Sequence, residues 1–189
     1  MRRLRYAAAC TATASVLLGL TACGGNPAPE PLPKSQGSPS PSATPSPSAT
    51  PPVMPAAARE KTKEGAVSAV RFFLTSLAFA GNSGNVEVFE SSFTRACTKC
   101  AAISAGIRET YSAGGSIRGG QWSPTRIKFY SIDRDVAYVD AIVTYQAQTW
   151  IKSAGAEATT SSRSPNNLKT FQLVWRDGTW RIGALDPEA

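Results

Sequence analysis

The feature that most constrains the fold is a change of apolar spacing near the glycine pair Gly114-Gly115. Before the pair, apolar residues recur every three or four positions, which places them along one face of an α-helix. After the pair they alternate with polar residues, which is typical of β-strands with one buried face. The chain is therefore expected to fold as an α+β domain, with helices first and an antiparallel sheet after them.

Three helices are expected in the first half of this domain. The first runs from Thr62 to Ala80 and stops at Gly81-Asn82. Asn85 is expected to cap a shorter second helix, and a third runs from Thr98 to Tyr111. Their apolar stripes consist of Val67, Val70, Leu74 and Leu77 in the first, Val86, Phe89 and Phe93 in the second, and Cys100, Ile103, Ile107 and Tyr111 in the third.

The second half is expected to form long strands joined by turns. Thr125–Ile132 and Val136–Ile151 alternate apolar and polar residues, and Asp133-Arg134-Asp135 joins them as a hairpin. A polar loop, Lys152–Asn167, separates this hairpin from the strand Leu168–Arg176. The next turn is the strongest local signal, because Asp177-Gly178 favours a two-residue hairpin turn. That turn places Trp175 opposite Trp180 and Arg176 opposite Thr179.

The N-terminus has the three parts of an export signal. Three arginines stand within the first five residues, the apolar run Tyr6–Leu20 follows, and small residues precede Cys23. The stretch Leu20-Thr21-Ala22-Cys23 resembles the bacterial lipobox. This resemblance implies that residues 1–22 are a signal peptide and that Cys23 becomes the lipidated first residue. It also implies attachment to the extracytoplasmic face of the cell membrane.

Residues 23–57 are expected to form a disordered tether behind the lipidated cysteine. Positions 24–57 hold 11 prolines among Ser, Ala and Thr, and such a composition cannot bury a core. An extended proline-rich chain rises about 3.1 Å per residue, so this segment can reach on the order of 100 Å. The folded α+β domain is then expected to occupy residues 58–189.

The net charge of the chain limits the classes of partner that are expected. The whole chain carries a net charge of +7, and removal of the three N-terminal arginines leaves +4. This modest excess suits anionic lipid headgroups, anionic wall polymers or an envelope protein. Basic residues are scattered rather than clustered with aromatic side chains, so no nucleic-acid partner is expected.

Cys97 and Cys100 are the one pair left after Cys10 leaves with the signal and Cys23 takes the lipid. Export favours an oxidised pair, and the leading interpretation is a structural disulfide beside the third helix. A thiol–disulfide exchange site at the start of a helix is the alternative. A zinc site is a third interpretation of the pair, but the chain has no histidine to complete a set of four ligands.

No catalytic residue, cofactor or metal ligand is expected. The chain has no histidine, the side chain that titrates near pH 7. Whether the protein is an enzyme is left open, and the favoured expectation is that it is not. Trp175 and Trp180 are explained as a packing pair. Trp122 and Trp150, near strand ends, are the candidates for the rim of a ligand pocket.

The closing hairpin, Leu173–Ile182, resembles the last two strands of the nuclear-transport-factor-2-like (NTF2-like) cone fold. Glu64-Gly65-Ala66 through Phe72-Phe73, with Cys97-Thr98-Lys99-Cys100, is similar to an uncharacterised family of actinobacterial lipoproteins. The resemblance implies a signal, a tether and one cone of three helices on a curved antiparallel sheet.

The resemblance to the NTF2-like fold implies no activity, because the NTF2-like superfamily includes enzymes, scaffolds and transport factors. The leading expectation is a lipid-anchored envelope protein with a non-enzymatic binding or scaffold domain. A binder of a small hydrophobic ligand or cell-wall intermediate in the cone pocket is the alternative, and thiol exchange at the cysteine pair is a further one.

Overall fold

Helices precede strands, as the change of spacing predicts. The computed structural model describes residues 50–187; the expected signal peptide, Cys23 and the expected tether up to residue 49 lie outside them. The helices are α1 (Lys63–Ser83), α2 (Glu87–Ser91) and α3 (Thr98–Ser112), after a short 3-10 helix, Ala56–Arg59. The strands are β1 (Gly114–Gly119), β2 (Trp122–Asp133), β3 (Val136–Tyr145), β4 (Gln148–Ser153), β5 (Thr159–Ser161), β6 (Ser164–Arg176) and β7 (Thr179–Leu185).

The helix ends follow local capping chemistry. Thr62 caps α1 by accepting a hydrogen bond from the Gly65 amide. The helix passes the expected stop at Gly81-Asn82 and ends at Ser83, because Gly84 is the residue that adopts the left-handed conformation, at φ 77°. Asn85 accepts a hydrogen bond from the Glu87 amide at 3.0 Å, as expected for the start of α2.

Two antiparallel sheets lie beside the helices. One has the order β1-β4-β5 and the other β2-β3-β6-β7. The expected single strand Val136–Ile151 is wrong, because the chain leaves the larger sheet after Tyr145 and re-forms as β4 in the smaller one. The expected loop Lys152–Asn167 is wrong in part, since it contains β5 and the start of β6. The glycine pair begins β1, a strand that the spacing did not reveal.

The bend between the sheets depends on glycine. Gly119 and Gly120 link β1 to β2 with φ of 73° and 75°, a region that favours glycine. The Gly120 amide donates to the Ala147 carbonyl at 3.0 Å, and the Gln146 amide donates to the Gln121 carbonyl at 2.9 Å. Backbone pairing therefore continues through the bend from one sheet to the other.

The core lies between α1 and the larger sheet. Phe73 of α1 is fully buried and meets Phe89 of α2 at 5.1 Å and Phe171 of β6 at 5.6 Å between ring centroids. The inward positions of β3 alternate as predicted, and those from Ala137 to Val143 are fully buried. Aromatic edges against faces add to the burial of apolar area here.

The closing hairpin confirms its sequence signal. Asp177 and Gly178 both have positive φ, at 53° and 74°, as the tight two-residue turn requires. Trp175 pairs with Trp180, and their rings meet edge to face at 5.3 Å. Buried Trp180 also donates from Nε1 to the Glu60 carbonyl at 3.0 Å.

Chain before residue 58 already contacts the domain. Met54 packs against the core, and its sulfur lies 3.2 Å from Thr179 Oγ1. The same hydroxyl lies 3.1 Å from the Ala58 carbonyl. The last residues of the expected tether thus lie against the β6–β7 hairpin. Among the helices of residues 50–187, none has the length and apolarity needed to cross a membrane.

Candidate functional site

The candidate site forms where the loop between α2 and α3 joins the edge of β7. The Thr94 amide donates to the Ile182 carbonyl at 2.9 Å, and the Ile182 amide donates to the Ser92 carbonyl at 3.0 Å. Phe93 between them rests on Phe89, with ring centroids 5.1 Å apart. Backbone pairing and aromatic packing therefore fix this loop on the strand edge.

The disulfide Cys97–Cys100 closes the same loop onto α3. Both cysteines are fully buried, and the Cys97 amide donates to the Thr94 carbonyl at 3.0 Å. A thiol-exchange site needs an accessible sulfur, so this burial supports the structural interpretation. The disulfide thus helps to position the residues that precede it.

An open cleft of 560 Å³ lies between this loop and the β6–β7 hairpin. Three arginines line it: Arg95 from the loop and Arg176 and Arg181 from the two strands. Glu90 and Asp177 line it as well. We call this space the arginine cleft.

Both carboxylates that line the arginine cleft already lie beside an arginine. Glu90 Oε1 accepts from Arg108 Nη2 at 2.8 Å and from Ser104 Oγ at 2.6 Å. Asp177 lies 3.7 Å from Arg181. Within residues 50–187, Arg95 and Arg176 have no carboxylate within 4.0 Å. The cleft consequently has an excess of positive charge.

Two polar atoms of the cleft-lining residues are buried without a hydrogen-bond partner in the described part of the chain. They are Thr94 Oγ1 and Arg181 Nε. A buried polar atom left unpaired costs about 1–3 kcal/mol, and more when the group is charged. Native proteins keep few such atoms.

A second, smaller depression continues from the arginine cleft past the β6–β7 turn. It has a volume of 250 Å³ and shares Asp177 and Arg181 with the larger cleft. Its wall adds Arg59 and Met54 from the N-terminal segment. A fourth arginine therefore lies on the same side of the hairpin.

A separate polar cluster lies on the inner face of the larger sheet. Lys169 Nζ contacts Asp186 Oδ2 at 2.6 Å and lies 5.7 Å from the Trp122 ring centroid. Burial lowers the pKa of Lys169, but hydrogen bonds and attraction to Asp186 and Tyr145 outweigh it, so the pKa is raised above 10.5. Lys169 is thus held as a cation, which suits a structural ion pair better than proton transfer.

The two tryptophans proposed for a pocket rim lie on different sheets. Trp122 begins β2, packs on Tyr145 at 5.1 Å, and lines a cavity of 130 Å³ between α1, α3 and β1. Trp150 lies on β4, donates to Thr110 Oγ1 at 3.0 Å, and is absent from the lining of that cavity. Ligand pockets usually measure about 300–1,000 Å³, so this cavity gives the hydrophobic-ligand alternative little room.

Sequence reasoning missed the arginine cleft because its residues are far apart in the chain. Arg176 and Arg181 flank the predicted hairpin turn, so their proximity was available from the sequence. Arg95 joins them through the pairing of residues 92–94 with β7, which no local pattern indicated.

Sequence comparison assigns a family without an activity. A family described as "Family of unknown function (DUF6318)" matches residues 39–186. Among curated proteins, no sequence matches this chain.

Solved structures with a similar fold share little sequence. The intermembrane space region of the chloroplast protein ARC6 is 12% identical with a TM-score of 0.52, over 67% of this chain and 96% of that one. A putative aromatic ring hydroxylase from Novosphingobium aromaticivorans is 12% identical with a TM-score of 0.42, over 64% and 86%. An NTF2-like protein with a cystatin-like fold from the same organism is 12% identical with a TM-score of 0.38, over 66% and 85%.

Proposed function

The chain belongs to the DUF6318 family of unknown function, and from that premise we propose that it is a lipid-anchored envelope protein whose folded domain binds a ligand rather than transforming one. The domain is an NTF2-like cone held away from the membrane by the proline-rich tether. Its task is to hold a partner at the cell surface.

The arginine cleft is the observation that carries the binding role. Arginine stays protonated at all physiological pH values and presents several donors in a fixed plane. Such groups hold an anion well, but they do not exchange protons with it near neutral pH. The chain also has no histidine, the usual general acid or base. The chemistry of the cleft therefore favours binding.

Support for the anchor comes from the sequence alone. The three arginines, the run Tyr6–Leu20 and the small residues before Cys23 match what a signal peptidase and an acyl transferase require. Stable attachment needs more than one acyl chain, because a single chain binds a membrane only marginally. A diacylated Cys23 meets that need.

The anchor is tested by a pair of cysteine variants in cells that process lipoproteins. Cys23→Ala is expected to leave the membrane fraction and to lose incorporation of labelled fatty acid. Cys10→Ala is the matched control, because Cys10 lies inside the signal segment and should leave with it. Equal membrane retention and labelling of both variants would refute the anchor.

A further inference from the structure

We infer that the arginine cleft binds phosphate groups of an anionic, polar polymer, with Arg95, Arg176 and Arg181 as the phosphate-binding residues. The inference rests on the proposed binding function of the domain and names the ligand chemistry of that same site. It does not depend on the lipid anchor.

The donor set of the cleft matches phosphate. The planar guanidinium group forms two parallel hydrogen bonds to phosphate oxygens, and it is preferred wherever such planar recognition matters. Three arginines from separate segments can approach one tetrahedral anion from different sides. A phosphate presents its oxygens around a tetrahedron and can accept from donors on several sides, whereas a carboxylate presents its two oxygens in one plane. The presence of three arginines in one cleft therefore favours a phosphate ligand over a carboxylate.

The charge balance of the cleft leaves room for an anion. Glu90 is neutralised by Arg108 at 2.8 Å, and Asp177 offsets one guanidinium at the longer distance of 3.7 Å. Two positive charges thus remain, on Arg95 and Arg176, and both side chains belong to exposed residues. A phosphodiester carries one negative charge, so the cleft can neutralise about two linked units.

The size of the cleft favours a phosphate that is part of a larger molecule. At 560 Å³ it lies within the range of organic ligand sites. The neighbouring depression of 250 Å³ adds Arg59 along the same hairpin. A repeating chain such as poly(glycerol phosphate) can therefore place one phosphate in the arginine cleft and a neighbouring phosphate beside Arg59.

The test measures binding of poly(glycerol phosphate) to the purified full-length chain by isothermal titration calorimetry at about 0.15 M salt. The double variant Arg95→Gln/Arg176→Gln removes the two unpaired cleft charges. Arg126→Gln/Arg163→Gln removes two exposed charges elsewhere, from β2 and from the segment between β5 and β6. Both variants change net charge equally, and circular dichroism verifies their folding.

We expect the cleft variant to lose about tenfold or more in affinity, since it removes two charge-assisted contacts and each is worth about threefold or more at a solvent-exposed site. The control variant should stay within about twofold. Equal losses in both variants, or no binding by the native chain, would overturn the inference. Equal affinity for polyglutamate would also overturn it, because carboxylate would then suffice.

A last comparison separates the two sources of phosphate. Vesicles of phosphatidylglycerol are offered in place of the soluble polymer, with phosphatidylcholine vesicles as reference. Cleft-dependent binding to the soluble polymer supports a wall polymer as the source. Cleft-dependent binding to phosphatidylglycerol alone would overturn the polymer as the ligand and would identify a lipid headgroup as the source of the phosphate. Membrane retention of the Arg95→Gln/Arg176→Gln chain should stay normal, so failure here is distinct from failure of the anchor.

Discussion

Replacing Gly119 by alanine should disrupt the bend that joins the two sheets. Gly119 has a φ of 73°, and a Cβ at this position would overlap the Ala147 carbonyl oxygen and lie 3.2 Å from its carbonyl carbon. The Ala147 oxygen cannot retreat easily, because it accepts the Gly120 amide at 3.0 Å. Backbone strain and steric overlap therefore act together.

Both effects can be given a magnitude. The left-handed conformation costs a residue with a Cβ about 1–2 kcal/mol. Forcing an extra carbon into a closed contact typically costs about 1–3 kcal/mol. Gly119→Ala should therefore lower the free energy of unfolding by about 2–5 kcal/mol, a large share of the roughly 5–15 kcal/mol typical of whole domains. Gly155 supplies the control, with a φ of 75° and no heavy atom within 4 Å of the position that a Cβ would occupy.

Urea denaturation followed by tryptophan fluorescence measures the difference. Gly155→Ala should lose about 1–2 kcal/mol, from backbone strain alone. With a slope of about 1.5 kcal/mol per molar, the midpoints of the two variants should differ by roughly 1 M or more. Equal midpoints would show that Ala147 moves aside freely, and would refute the account of a fixed, glycine-dependent bend.

Three further predictions use the same denaturation assay. Trp180→Ala should cost about 3–5 kcal/mol, as a buried aromatic side chain does, and a loss below about 1 kcal/mol would contradict its place in the core. The double variant Cys97→Ala/Cys100→Ala should lose about 2 kcal/mol, the entropy of so short a closed loop, whereas an unchanged midpoint would show that the disulfide does not restrain the unfolded chain. Lys169→Met should be less stable than the native chain between about pH 7 and 9. Because the folded pKa of Lys169 is raised, its contribution is complete below the unfolded value and should vanish as pH rises beyond 10.5; a difference that persists there would implicate packing rather than charge.

Local patterns predicted the elements whose partners are near in sequence. The Asp177-Gly178 turn carries its own conformational preference, so the pairing of Trp175 with Trp180 followed directly from it. Thr62 and Asn85 likewise act within three residues of their own positions. Short-range chemistry of this kind is visible in a single sequence.

The two wrong strand boundaries have a tertiary cause. β3 alternates buried residues with more exposed ones, whereas β4 is half-buried at nearly every position and pairs with β1 in the smaller sheet. The bend at Gln146-Ala147 is imposed by the glycines of another segment, Gly119 and Gly120. Spacing within one strand cannot reveal a bend that a neighbouring strand determines.

Residues 54–60 and the arginine cleft lie against the same β6–β7 hairpin. The chain enters the domain at Met54, and Ala58 and Glu60 accept hydrogen bonds from Thr179 and Trp180. The next residue of β7 is Arg181, which lines the cleft. A ligand that orders Arg181 therefore also stabilises the strand against which the N-terminal segment packs, since contacting residues do not act independently. Binding at the cleft should accordingly strengthen the attachment of the tether to the domain that it carries.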